Sequence, residues 1–165
     1  MQKILCLHLK EHITLRRDRK NMKLTKNDYK LFLKAREIAL SSTYPKFHVG
    51  CIAVYHGAVI ASGINSSKTH PIQFFYNRYR DCSDPTLPPT LHAEIDCINQ
   101  LKHLNINFSK VKLYIYRSRV SRPFGMTRPC PSCIEAIKDI GIRDIYYTTD
   151  DGYAYERLGD LKRWA

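Results

Sequence analysis

Hydrophobic side chains recur at helical spacing over residues 26–41, with Tyr29, Phe32, Leu33 and Leu40 on one register and Leu31, Ala35, Ile38 and Ala39 on another. Thr25, followed three residues later by Asp28, matches a capping arrangement for the start of that helix. Tyr44-Pro45 interrupts the pattern. Val49, Ile52 and Val54, then Val59 and Ile60, form two short β-branched runs parted by His56-Gly57, which predicts a β-hairpin. Residues 69–90 lose periodicity and carry four prolines, a long irregular segment of the kind that often carries function. A helix is predicted over 91–104 with Ile95, Ile98 and Leu101 inward, and a strand over 111–116. A short helix over 131–140 is ended by Gly141, and a strand over 142–149 follows. Alternation of strands and helices favours a layered α/β domain with helices packed on a mixed sheet.

The length of 165 residues fits one domain, and no repeat or linker divides the chain. No window approaches the roughly 18 uninterrupted apolar residues of a membrane span. Residues 1–13 are broken by Lys3, His8, Lys10, Glu11 and His12, so no signal-peptide core is seen and a cytoplasmic protein without membrane contact is expected. In that setting the six cysteines read first as thiols for metal or packing, not as disulfides. Cys130 and Cys133 are spaced as a pair; Cys6, Cys51, Cys82 and Cys97 are isolated.

Lysine and arginine total 27 against 15 acidic residues, a net charge of +12, which favours polyanions or phosphorylated small molecules as partners. The run Arg16-Arg17-Asp18-Arg19-Lys20-Asn21 lies just ahead of Met22. Residues 1–21 are accordingly expected to be an upstream basic extension that is non-native or flexible, with residues 22–165 forming the domain.

Two motifs carry chemistry: His92-Ala93-Glu94 and Pro129-Cys130-Pro131-Ser132-Cys133, both at predicted helix starts. Cysteines at i and i+3 can aim their sulfurs at a single metal, and a helix N-terminus lowers a thiol pKa. His92 can supply the third ligand. Three protein ligands leave a fourth tetrahedral position for water, the arrangement of a catalytic zinc and not of a closed structural one. Glu94 is poorly placed to share the metal but well placed to take a proton from water beside it and return it to a substrate. A C-x-x-C pair alone is also found in structural zinc knuckles and redox pairs. A closed site would need Cys97 or Cys82 as fourth ligand, and Cys97 is about 140° around the predicted helix from His92.

Taken together, these motifs resemble the cytidine and deoxycytidylate deaminase superfamily, whose signature is H-A-E followed by P-C-x-x-C. The resemblance spans most of residues 25–149 and implies a three-layer α/β/α fold with a mixed sheet. It implies that His92, Cys130 and Cys133 bind one catalytic Zn2+, that Glu94 is the proton shuttle, and that the reaction is hydrolytic deamination of cytosine, with adenine the less favoured base. Gly63-Ile64-Asn65 looks like the family's G-x-N segment, which gives Asn65 a contact to sugar or base, and the Ala93 amide would meet the base carbonyl. His70 and Cys82 are candidates for a second, structural zinc, and are read instead as isolated surface residues. Relatives are often oligomeric, so a homo-oligomer is compatible with the resemblance, although no interface stands out in the sequence.

Substrate class divides the signals. The long insertion before H-A-E and the P-C-P-S-C wording look more like deoxycytidylate deaminases. Against this, residues 69–90 set Phe74, Phe75, Arg78, Tyr79 and Arg80 side by side, which can stack bases and hold phosphates. Arg117, Arg119, Arg122 and Arg128 add a second cluster, and the short segment after Thr149, holding at most one strand near 153–158, is expected to leave the site open. A cytosine nucleotide is the first expectation, with Arg78, Tyr79 and Arg128 among its contacts. Single-stranded DNA or RNA is the second, and a noncatalytic zinc-stabilised nucleic-acid-binding module the third.

Overall fold

Unbroken burial along two central strands calls for a covering layer on each face of the sheet. The computed structural model, which describes residues 20–21, 23–80, 90–119, 121 and 125–159, has this arrangement. In chain order the elements are β1 (Lys20–Asn21), α1 (Lys26–Leu40), β2 (His48–Tyr55), β3 (Ala58–Ile64), β4 (Ser66–Thr69), α2 (Pro71–Tyr76), β5 (Thr90–Leu91), α3 (Ala93–Leu101), β6 (Lys112–Ser118), α4 (Pro131–Ile140), β7 (Asp144–Thr148) and β8 (Tyr153–Arg157). The main sheet runs β1-β8-β7-β6-β2-β3, with β6 and β7 parallel and the other neighbours antiparallel, so it is mixed; β4 and β5 form a separate ladder.

Val49, Cys51 and Ala53 of β2 and Leu113 and Ile115 of β6 face a core shared with α3 and α4, whereas Ile52, Val54, Tyr114 and Tyr116 face a smaller core under α1. The period of two puts successive residues of each strand into different layers. Two glycines let the helices approach. A Cβ at Gly50 would overlap the backbone of α1 at Ala35 and Ala39, and one at Gly63 would overlap that of α3 at Ala93 and Cys97.

Thr25 and Asp28 form the expected capping box on α1. The β2–β3 turn places His56 and Gly57 at φ of 48° and 82°, the left-handed conformations a two-residue hairpin turn needs. Helix α4 starts at Pro131 and ends where Gly141 takes φ 98°. Helix α3 is shorter at both ends than its apolar spacing predicts, because His92 takes the extended N-cap conformation and the last turn closes at Leu101. The segment predicted to be irregular is ordered over its first part, as β4, α2 and a 3-10 turn at Asn77–Tyr79. The basic run ahead of Met22, Met22 itself, Cys6, Cys82 and Arg122 lie outside the described residues, as does the expectation for residues 1–19; the backbone of Lys20 and Asn21 pairs with Tyr155 and Ala154. None of the described helices is long and apolar enough to cross a membrane.

Candidate active site

Two helix starts meet at one point. His92 is the N-cap of α3 and Cys130 that of α4, with Cys133 in the first turn of the same helix. Neither N-cap side chain bonds its own helix, so imidazole and thiol are free to turn toward each other. His92 Nδ1 lies 3.5 Å from Cys130 Sγ and 3.4 Å from Cys133 Sγ, and the sulfurs are 3.7 Å apart. A tetrahedral zinc with Zn–S of about 2.3 Å and Zn–N of about 2.0–2.1 Å sets edges of about 3.8 Å between sulfurs and about 3.6 Å from sulfur to nitrogen. The triangle therefore has the size of a zinc site. Among the described residues no other group of three His, Cys, Asp or Glu side chains converges in this way. Cys97, the alternative fourth ligand, instead lies buried against Cys51.

The charges agree with that reading. A hydrogen bond from the Cys133 thiol, helped by His92, outweighs burial and holds the Cys130 thiol down at about 3. Burial, and then the hydrogen bond to Cys130, pushes Cys133 well above its ordinary range. The pair thus retains a single proton between two sulfurs, and a divalent cation would let both ionise. Burial works to lower the pKa of His92, but the bond to Cys130 and the Glu94 charge outweigh it and leave it raised. Burial raises the Glu94 carboxyl, with His92 opposing, so this acid holds its proton more readily than an exposed glutamate does.

His92, Ala93, Glu94 and Cys130 open onto a cavity of about 160 Å³, whose other walls include Tyr44, Phe47, Val49, Asn65, Arg117, Met126, Thr127 and Arg128. A cavity of roughly 150 Å³ admits a benzene-sized ring, so one planar base is a fitting occupant. Asn65 is only 5% exposed: its Oδ1 accepts from the Val49 amide at 2.8 Å and the Ser42 hydroxyl at 2.7 Å, and its Nδ2 donates to the Phe47 carbonyl at 3.0 Å. Its first task is to tie the loop carrying Tyr44 and Phe47 to the end of β3, which leaves one amide hydrogen for a ligand. Arg128 lines the cavity, but its guanidinium makes two 2.7 Å bonds to Glu156 of β8. Arg78 and Tyr79 do not line it; Arg78 lies over the Phe75 ring at 3.8 Å, and both residues sit on the exposed 3-10 turn. His70 caps α2, its Nδ1 accepting from the Ile72 amide at 3.2 Å.

Behind the donors is a polar bridge that motif reading does not reach. Gln73 of α2 is fully buried; its Oε1 accepts from the His92 amide at 3.0 Å and its Nε2 donates to Asn77 Oδ1 at 2.8 Å. The Ser132 hydroxyl, between the two cysteines, approaches the same Asn77 oxygen at 3.4 Å. The available signal is a lone glutamine in the apolar run Ile72–Tyr76 behind a helix-starting proline.

A layered fold that aims two helix N-termini at one metal-sized triangle beside a buried glutamate is the arrangement of the zinc-dependent nucleobase deaminases. Residues 25–149 match the model of the cytidine and deoxycytidylate deaminase zinc-binding region, and the chain belongs to that family. Similar solved structures include the dCMP deaminase of cyanophage S-TIM5 in its apo form, 20% identical with TM-score 0.55 over 77% of this chain and 86% of that one. The same enzyme in complex with dCMP and dUMP is also 20% identical, with TM-score 0.53 over 76% and 83%. The cytidine deaminase of Burkholderia pseudomallei is 15% identical, with TM-score 0.57 over 86% and 99%. At these identities the likeness is one of fold. No curated protein sequence matches the chain.

Proposed function

We propose that this chain hydrolytically deaminates the cytosine of a deoxycytidylate-type nucleotide to uracil. The observation that carries the reading is Glu94, buried beside the His92, Cys130 and Cys133 triangle and facing a cavity of base size. His92, Cys130 and Cys133 would hold one zinc ion, which when bound supplies Lewis-acid activation of water.

The chain's own residues account for the rest. Glu94, held in the first turn of α3, takes a proton from water as its oxygen bonds to C4 of the ring and delivers that proton to N3. As the C4–N bond breaks, the same carboxyl passes the water's second proton to the departing amine, so cytosine and water become uracil and ammonia. The Ala93 amide is among the helix N–H groups without an intrahelical acceptor and would donate to the base carbonyl. Asn65 would offer its remaining amide hydrogen to sugar or base, and Arg128, neutralised by Glu156, would serve as a wall.

Phe74, Phe75 and Tyr79, exposed by 72%, 50% and 43%, favour a second reading in which the cytosine lies in single-stranded nucleic acid that stacks on α2 and its 3-10 turn. A noncatalytic binding role gives no task to Glu94, whose burial costs free energy that His92 offsets only in part.

Zinc-loaded protein offered dCMP, deoxycytidine and a cytosine-containing single-stranded oligonucleotide should convert dCMP. Glu94→Ala should keep its zinc and lose about 10²–10⁴-fold in rate. Conversion of the oligonucleotide alone would give the second reading, and zinc-replete protein that converts none of the three would refute both.

A further inference from the structure

The arginines that the sequence groups from the end of β6 to the start of α4 separate by what each is bound to. Arg128 is neutralised by Glu156 through two bonds of 2.7 Å, and Arg119 faces Asp150 at 3.7 Å. Arg117 makes no ion pair among the described residues. Its guanidinium carbon lies 4.2 Å from the centre of the Phe47 ring, and Nη1 donates to the Met126 carbonyl at 3.2 Å. Its Nε is closed off from water with no hydrogen-bond partner. Arg117, Phe47 and Met126 all line the cavity that holds Glu94. A guanidinium is thus fixed at the pocket by an aromatic face and a carbonyl; Asp150, which faces Arg119, acts on its charge from farther off, and no carboxylate among the described residues is bonded to it.

That arrangement suits an anion brought in by a ligand. A guanidinium presents a rigid fork of donors that fits phosphate, and a partly desolvated cation gains more from such a partner than a solvated one does. Arg128 already gives Nε and Nη2 to Glu156, which offsets its charge and leaves it the weaker partner for an incoming anion.

We propose that Arg117 is the specificity-determining residue of the pocket, binding the phosphate of a cytosine nucleotide and so selecting the nucleotide over the free nucleoside. The inference rests on the proposed reading that the cavity takes cytosine. It goes beyond that reading in assigning the choice of substrate to one side chain, the arginine of the described cavity lining that has no bonded carboxylate.

The test uses the zinc-loaded full chain as wild type, Arg117→Leu, which keeps an alkyl stem over Phe47, and Arg117→Lys, which keeps the charge without the fork. Calorimetric titration with dUMP and deoxyuridine measures the phosphate preference without requiring turnover. The ratio of kcat/KM for dCMP to that for deoxycytidine measures it during reaction. Wild type is expected to prefer the phosphorylated ligand, Arg117→Leu to lose on the order of ten- to a hundredfold of that preference, and Arg117→Lys to recover part of it. A wild type without the preference, or variants that weaken both ligands equally, would overturn the assignment. Preferential dUMP binding without turnover of either cytosine substrate would sink the proposed reaction and leave Arg117 as the phosphate contact.

Discussion

At the residue scale, the donors are readable from sequence and their supports are not. A histidine, two cysteines at i and i+3 and a glutamate two residues past the histidine are chemically uncommon types at a demanding spacing, so their convergence is legible before any fold is drawn. Gln73 is the opposite case, an ordinary polar residue whose importance comes from being buried between His92 and Asn77. Gln73→Met keeps the volume but leaves the His92 amide without its acceptor. This positioning change should weaken zinc binding by about 10- to 100-fold in competition with a chelator. Zinc-saturated Gln73→Met should recover most of the turnover, and the glutamine would be a mere packing residue if its zinc affinity matched the wild type's. Arg128 shows how a partner changes a role: the sequence places it among phosphate contacts, and the fold ties it to Glu156.

Elements with hard stops at both ends are the ones that pattern reading recovers. Helix α4 begins on a proline and ends on a left-handed glycine, both visible in sequence, and its span is predicted to the residue. Helix α2 has only six residues, too few for a 3.6-residue period to show, which is why its segment reads as irregular. The approach of helices to the sheet is equally hidden, since nothing marks Gly50 and Gly63 as contact points until the layers are stacked. Gly50→Ala and Gly63→Ala should each destabilise the fold by on the order of 1–3 kcal/mol in urea titrations. Only Gly63→Ala, which pushes on the start of α3, should also lower zinc content.

The α1 cap allows a pH test at the same scale. Burial acts to raise the pKa of Asp28, but hydrogen bonds from Thr25 and Tyr114 outweigh it and leave the carboxyl below its usual range. A depressed carboxylate contributes stability above its unfolded pKa and loses it as the pH falls through the folded one. Asp28→Asn should therefore cost about 1 kcal/mol at pH 7 and progressively less as the pH falls through the folded pKa of Asp28, as read from thermal unfolding across an acid pH series.

For the whole molecule, the layer order follows from the alternation along β2 and β6, whereas net charge says little about the site. The total of +12 suggests a long anion, yet two of the pocket-side arginines already have carboxylate partners. The dependence of dCMP affinity on salt should accordingly be shallow, with a log–log slope near one. A strand-binding surface would give a slope of several, at about 0.7 per phosphate neutralised.

The location of the three donors has a kinetic consequence. All of them belong to the first turns of α3 and α4, the parts of helices that open without the domain unfolding. Escape of a bound ion would then be timed by fraying of one turn, and its dissociation rate should track amide hydrogen exchange at Asp96 and Ile134, whose N–H groups bond the His92 and Cys130 carbonyls, while remaining insensitive to changes in global stability made on the α1 face of the sheet.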